Sequence, residues 1–464
     1  MSHTYIALIA GVALITLWPQ RWSLKDAIPT IFLSAVSLSI ILEGVELYRT
    51  WAELKGWKVE MTIYKAAALF TALFLSSGLL KDRYGYRRQF LPFVLIMLLL
   101  TLQAIETQDV LILTMLLPAS YFFGHLAPHL AKKMPLAPKK IVGWGLMAGV
   151  VALMCVIASL QYHFATGESV FGAAPSLQPG EMLVYSTLLW LAVSFMLIAR
   201  FPFSPIMKDF EEVNSWSLMG YIRALLTLIG FSLISRVLEY YSTPGPFEGM
   251  QEAVRLFVFG SLSMMAVLEI FSSKHIYTRL FAWFTLTLTI NILAHSPLLK
   301  LDAVFRAIVL IEGVLALCLI IFVFKRSSLS LNISPDRLSQ KIQSWHLFPR
   351  ILLGSAVLGL FPVATELGLQ LVGRYFEAYK APLWQPVQLS VLSPSLLVAL
   401  VLAFVFMALF KSLYDLFRLN AREASDTLSE KWQPSFLECA GYVAFIVLGI
   451  CAAPLYNYLS SHPT

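Results

Sequence analysis

Charge is what this 464-residue chain has least of. Lys, Arg, Asp and Glu together make up 13% of it, against 58% hydrophobic residues and a mean hydropathy of +0.74. A water-soluble domain is about a quarter charged and about half apolar. An apolar excess of this size excludes a soluble enzyme built on one core, so the bilayer must be the solvent for most of the chain. Cysteine is scarce as well. Cys155, Cys318, Cys439 and Cys451 stand singly inside apolar runs, which argues against a zinc or iron–sulfur site and against a disulfide framework. A Gly-rich dinucleotide fingerprint is missing. No cofactor is therefore expected: flavin, iron–sulfur, quinone and NAD have no holder here, and any redox chemistry would belong to partner chains. Linkers of disordered composition, low-complexity tracts and a soluble domain are also lacking. The formal charge of +7 sits in short loops, which points to membrane topology rather than to nucleic acid.

What is present is a series of apolar runs, near 4–18, 27–44, 64–80, 90–107, 110–128, 141–165, 181–200, 217–238, 253–272, 277–296, 302–324, 347–373, 391–417 and 436–458. They predict an all-α polytopic membrane protein of about fourteen transmembrane helices. The first run lacks a basic leader and a small-residue cleavage site, so it reads as a retained span. Basic residues gather in 81–88, 132–140, Lys274/Arg279, 325–350 and 411–431, each after an odd-numbered run. Roughly twenty lie on that side and about eight on the other, which makes those connections cytoplasmic and puts both termini on the outer side. The expected setting is a bacterial-type inner (plasma) membrane, with the lipid bilayer as the chain's surroundings. Within the 325–350 connection, "PDRLSQKIQSW" reads as a short surface helix.

The seventh run ends in "ARFPFSPIMKDFEE" (199–212), where Pro202 and Pro205 should break a helix. In hydrocarbon such a break survives only where protein or a watery cavity satisfies the freed backbone groups. A second Phe-Pro step follows at Phe361-Pro362 in "GLFPVATELGL" (359–369). Paired interruptions in two halves point to an inverted-repeat transporter; two ordinary proline kinks are the alternative.

Residues 197–236, "LIARFPFSPIMKDFEEVNSWSLMGYIRALLTLIGFSLISR", resemble without a gap the central block of the antiporter-like subunits of proton-pumping NADH–quinone oxidoreductase (complex I), relatives of the Mrp antiporters. Phe201-Pro202-Phe203, Asp209, Ala224, Gly230, Leu233, Ile234 and Arg236 carry the match. "IYTRLFAWFTLT" (276–287), "DAVFRAIVLIEG" (302–313) and "GLFPVATELG" are similar to further family blocks in the same order. The resemblance implies two inverted five-helix repeats, each with a discontinuous helix, near 201–205 and 361–362. It divides the chain into N-terminal helices 1–3 (1–89), a first repeat (90–238), a second repeat (239–418) and a C-terminal helix (419–464). It also implies other membrane subunits of a larger complex as partners.

The family moves protons through buried lysines, a glutamate and histidines, and here the resemblance departs from its pattern. The lysine before the first break falls on Leu197, the histidine of the following helix on Ile222, and the fifth-helix glutamate near Pro118. The lysine after the second break falls on or near Leu369. Two changes are milder, histidine to Asp302 and lysine to Arg306. An alkyl side chain cannot pass a proton, and arginine keeps its own. The first half-channel therefore reads as degenerate, unless Arg200, Arg223 and Glu211/Glu212 rebuild it.

Ionisable residues at membrane depth include Glu43, Arg223, Glu269, His295, Asp302, Arg306, Glu312, Glu366, Lys411 and Asp415. A charge there is costly and usually functional. Asp302 and Arg306, four apart, share a helical face and read equally as a neutralising pair. Glu312 and Glu366 are the expected proton sites of the second half, with a carboxylate hydrogen-bonded to a neighbouring helix as the alternative. His295, beside Pro297, could face headgroups instead; Lys411 and Asp415 are expected to snorkel. Four functions follow. The chain is an antiporter-like subunit of a proton- or ion-translocating complex; the membrane subunit of a proton-driven inorganic-carbon uptake system; a non-conducting scaffold; or an unrelated secondary transporter.

Overall fold

The computed structural model describes residues 3–17, 24–50, 57–81, 90–130, 138–171, 181–198, 215–240, 248–294, 303–327, 333–343, 347–361, 365–378, 394–417 and 443. These residues form fifteen α-helices: α1 (His3–Leu17), α2 (Leu24–Thr50), α3 (Trp57–Lys81), α4 (Phe90–Glu106), α5 (Val110–Leu130), α6 (Pro138–Thr166), α7 (Glu181–Ile198), α8 (Trp216–Tyr240), α9 (Glu248–Ser272), α10 (Ile276–Ala294), α11 (Ala303–Arg326), α12 (Pro335–Gln343), α13 (Leu347–Gly359), α14 (Glu366–Ala378) and α15 (Pro394–Phe417). Among the described residues the extended pairing amounts to a single bridge, Asp109 with Val170. Eight helices contain stretches long and apolar enough to cross a bilayer, and five more are apolar but shorter. The chain is an all-α, multi-pass membrane protein. The run at 436–458 lies outside the described residues.

The helices divide into two compact units, Met1–Tyr240 and Tyr241–Thr464. In the first, α8 is the core: residues 216–238 are all buried, packed against α3, α4, α5 and α7. A helix apolar all round needs neighbours all round. Two glycines let them come close. A Cβ at Gly230 would lie 2.6 Å from Ile198 Cγ1 on α7, and one at Gly124 of α5 would lie 2.9 Å from Leu226 Cδ1 on α8. Small residues at helix crossings are the membrane solution to close packing. By contrast α6 exposes Val142, Leu146, Leu153 and Phe164, a face suited to lipid. It ends where Gly167 takes φ 76°, a left-handed conformation that glycine reaches without strain. Helices α1 to α4 close a ring, each packed on the next and α4 back on α1.

In the second unit α10 and α11 are central, and α9, α13 and α15 are arranged around them. The sequence run 347–373 is not one helix: α13 stops at Gly359 and α14 starts at Glu366. Helix α12 is the expected surface helix. It buries Leu338 and Ile342, exposes Asp336 and Arg337, and packs on α15. Its Lys341 Nζ donates to the Ser327 carbonyl at 2.8 Å, meeting the free carbonyls after α11.

Candidate functional sites

Three polar constellations lie inside the helical units. The first surrounds the interruption in the second unit. As α13 ends, the amide of Leu360 donates to Ala356 and Val357 and that of Phe361 to Leu358, a tightening of the last turn. The Leu360 carbonyl accepts a 2.7 Å hydrogen bond from Thr287 Oγ1 of α10, and the Trp283 and Phe361 rings meet at a 50° tilt with centroids 6.4 Å apart. Beyond the gap, Thr365 Oγ1 accepts from the amide of Gly368 at 3.2 Å, a helix N-cap for α14. On each side of the interruption a backbone group thus finds a protein partner, of the kind hydrocarbon requires.

Glu312 of α11 is linked to this interruption through its neighbour in sequence. Its neighbour Gly313 packs so tightly on α10 that a Cβ would lie 2.5 Å from Thr287 Cγ2, the residue whose hydroxyl caps α13. Glu312 itself is only 7% exposed. Among the described residues no basic side chain forms an ion pair with it.

The second constellation lies between α8, α5 and α6 of the first unit. Arg223 is buried on α8, within electrostatic reach of Tyr121 on α5. The Tyr121 and His125 rings lie 4.5 Å apart, and His125 stacks on Trp144 of α6 at 6.2 Å and 22°. Pro118, Tyr121 and His125 follow one face of α5. The face on which the family resemblance puts a glutamate thus carries a tyrosine and a histidine.

A third constellation occupies one end of the α1–α4 ring. Lys65 Nζ of α3 lies 2.5 Å from Glu43 Oε1 of α2 and 3.5 Å from Glu106 Oε2 of α4. Thr4 Oγ1 of α1 donates to Glu43 Oε2 at 3.0 Å, and the Tyr5 hydroxyl donates to Glu106. Beside it, Arg236 of α8 donates to the carbonyls of Ala104, Ile105 and Thr107 at the end of α4.

Of the residues singled out in the sequence, Glu43, Arg223 and Glu312 are buried and Arg306 is partly buried. Glu366 opens α14. Pro202, Pro205, Pro362, Arg200, His295 and Asp302 lie outside the described residues, so the Asp302/Arg306 pairing does as well. Leu197 and Ile222 are fully buried in α7 and α8. Asp415 does not snorkel alone: Arg279 of α10 pairs with it, and Lys411 reaches its other oxygen at 2.7 Å. Arg279, read in the sequence as part of a basic connection, is a buried residue of the first turn of α10.

Sequence reasoning missed Lys65, Glu106 and His125. Lys65 is the second residue of its apolar run, Glu106 the next to last of its own and His125 the fourth from an end, positions that read as interfacial. A signal was available: Glu43, next to last in the second run, was already counted among the residues at membrane depth, and such a carboxylate needs a cation from a neighbouring run. No group of three or more His, Cys, Asp or Glu among the described residues is placed to hold a metal ion.

A scan against protein-family models finds no match, and a search of curated proteins finds none either. Solved structures do match. The chain aligns over 98% of its length with 98% of a chain of respiratory complex I from Thermus thermophilus with bound aureothin, at TM-score 0.69 and 17% identity. It aligns over 98% with 95% of a chain of the membrane-bound sulfane sulfur reductase, an archaeal respiratory membrane complex, at TM-score 0.74 and 11% identity. For the Mrp complex of a Dietzia species the figures are 98% and 94%, TM-score 0.69 and 12% identity. At such identities the likeness is one of fold, and the resemblance carried by residues 197–236 holds at that level.

Proposed function

From the fold shared with chains of complex I and of the Mrp complex, we propose that this chain is an antiporter-like membrane subunit of a proton- or ion-translocating complex of that kind. Its second unit carries the proton-active groups and its first half-channel is degenerate. Other membrane subunits are its partners, and redox chemistry, where the complex has any, belongs to them. The observation that carries this reading is Glu312, a carboxylate with no described counter-cation, one residue from the glycine that seats α11 on the cap of an interrupted helix. An isolated carboxylate in a low-dielectric interior is costly as an anion. It is tolerable as a group that takes up and releases a proton. Glu366, at the start of α14, is the second candidate proton site, and Asp302, Arg306 and His295 are the further candidates of this half.

The two units are read as the two inverted repeats with their flanking helices, interrupted near 201–205 and 361–362. The repeats span 90–238 and 239–418, and helices 1–3 and the C-terminal helix lie outside them. Both termini face the outer side of a bacterial-type inner membrane.

In the first unit, fully buried Leu197 and Ile222 occupy positions where the family resemblance puts a lysine and a histidine. This favours a unit retained for its packing surface, with Arg223, Tyr121 and His125 as what is left of a polar path.

Proton flux into liposomes holding the purified chain, driven by a potassium diffusion potential, tests the proposal. The expected result is flux in the wild type and a loss of about tenfold or more in Glu312→Gln, the scale of removing a proton-transfer group. Flux equal to that of empty liposomes, or unchanged in Glu312→Gln and Glu366→Gln combined, would overturn it. Chains that co-purify from native membranes identify the complex.

A further inference from the structure

We propose that the Glu43–Lys65–Glu106 cluster is a one-sided proton-exchange site, taking a proton from the water at the end of the bundle where α1 begins and returning it there. It shares no residue with the Glu312 site or with the α5–α8 constellation.

Topology brings the groups together. Thr4 and Tyr5 lie in the first turn of α1, Glu43 two turns before the end of α2, Lys65 two turns into α3, and Glu106 is the last residue of α4. Chain direction alternates through the four helices, so all five side chains reach the same end of the ring. Further along, the described buried residues of the ring are apolar apart from the hydroxyls of Ser39, Thr71 and Thr101, each bonded to a carbonyl of its own helix. Leu8, Phe32, Val36 and Leu95 are fully buried, and a Cβ at Gly11 would lie 2.6 Å from Ala35 Cβ. A proton that enters therefore leaves by the way it came.

Exposure is graded along the cluster. The Glu106 side chain is 44% exposed, while those of Lys65 and Glu43 are each 8% exposed. Glu106 thus meets water and Glu43 does not. Among the described residues two carboxylates share one ammonium. The ammonium sits between the carboxylates at 2.5 and 3.5 Å, the place a metal cation would need. Two further described polar groups at this end have partners of their own. Arg236 binds the backbone carbonyls at the end of α4, and the Tyr64 hydroxyl lies 3.1 Å from Ser235 Oγ on α8.

The transfer needs no other reactant. Glu106 takes a proton from water and gives it to the Lys65 amine as the ammonium releases one of its three protons to Glu43. One proton moves inward, Lys65 ends as it began, and no electron changes hands. The Thr4 hydroxyl bonds Glu43 and the Tyr5 hydroxyl bonds Glu106, holding each carboxylate in place. The proposal rests on the proposed function only for which side is outside; proton uptake here requires no flux across the protein.

Infrared difference spectra of the full chain in lipid nanodiscs, taken as the medium is shifted from about pH 8 to about pH 5, read the site directly. The expected result is a carboxylic-acid carbonyl band in the wild type, part of which is missing in Glu43→Gln. After a pH jump, that same part appears at least about tenfold more slowly in Glu106→Gln, as expected when a relay group is removed. The double variant Glu43→Gln/Lys65→Met removes both buried charges together and carries the test if the single variant does not fold. A wild-type spectrum without such a band, or a band unaltered by the loss of Glu43, overturns the site. Flux with no Glu43-dependent band rejects this site and leaves the proposed function standing. A Glu43-dependent band with no flux does the reverse.

Discussion

Arg236 of α8 donates from Nη1 to the carbonyl of Thr107 at 2.5 Å, and its second terminal nitrogen reaches the carbonyls of Ala104 and Ile105. A helix end leaves its last carbonyls without partners and carries partial negative charge, so one planar cation from a neighbouring core helix answers both needs of α4. Arg236→Met is expected to lower stability by about 2–4 kcal/mol, since bonds to a charged donor contribute about 1.5–3 kcal/mol each and do not add fully. Arg236→Lys should recover only part of this, because a point charge lacks the fork. Thermal unfolding in detergent, followed by tryptophan fluorescence, measures both. Melting unchanged in Arg236→Met would remove the clamp from the account of α4.

The cap on the second-unit interruption allows a cleaner comparison. Thr287→Val keeps the shape of the side chain and deletes the hydroxyl that reaches Leu360. The buried carbonyl then loses a partner, at an expected cost of about 1–3 kcal/mol. Thr287→Ser restores the hydroxyl and should restore most of the stability. Equal melting temperatures for the two variants would show that another group satisfies the carbonyl.

Glycine substitutions should divide by what surrounds them. At Gly230 a methyl would meet Ile198 Cγ1 at 2.6 Å and the Ser194 backbone oxygen at 2.9 Å, whereas at Gly149 of α6 nothing lies within 4 Å. Gly230→Ala must push α7 from α8 and is expected to cost about 1–3 kcal/mol. Gly149→Ala adds a better helix former at an open position and should be neutral or stabilising by up to about 1 kcal/mol. Thermal unfolding of the two variants side by side checks the order; a reversal would mean that α7 and α8 do not meet as described.

Much of this fold is legible in the sequence because hydropathy reports the solvent directly. Thirteen of the apolar runs became helices or pairs of helices, and one of them, 347–373, divides between Gly359 and Glu366. Arg236 and Gly230 were visible as family matches, but their physical roles, a helix cap and a close crossing, needed the partner helix to be seen. The third constellation was the least legible. Lys65 and Glu106 stand near run ends, where a charge ordinarily reaches water, and only the closure of the α1–α4 ring buries Lys65 beside Glu43. Which face of α5 meets Arg223 likewise depends on Gly124 admitting Leu226, a contact that hydropathy does not encode.

Asp415 separates structural charge from working charge. Arg279, buried in the first turn of α10, pairs with it and also donates twice to the Ser273 carbonyl, at 3.1 and 3.0 Å. Further along α10, Trp283 Nε1 donates to Ser412 Oγ of α15 at 2.9 Å, so two rungs join these helices. Asp415→Asn leaves a guanidinium buried without its counter-charge, which is expected to cost about 3–5 kcal/mol. Lys411→Met removes a partner whose side chain is 37% exposed, and such pairs contribute at most about 1 kcal/mol. Proton flux per folded molecule should be unchanged in Lys411→Met, because this pair lies four residues apart along α15 and the cross-helix Arg279–Asp415 pair is kept. A loss of flux there, with unaltered melting, would move the Arg279–Asp415–Lys411 group from the scaffold into the proton path.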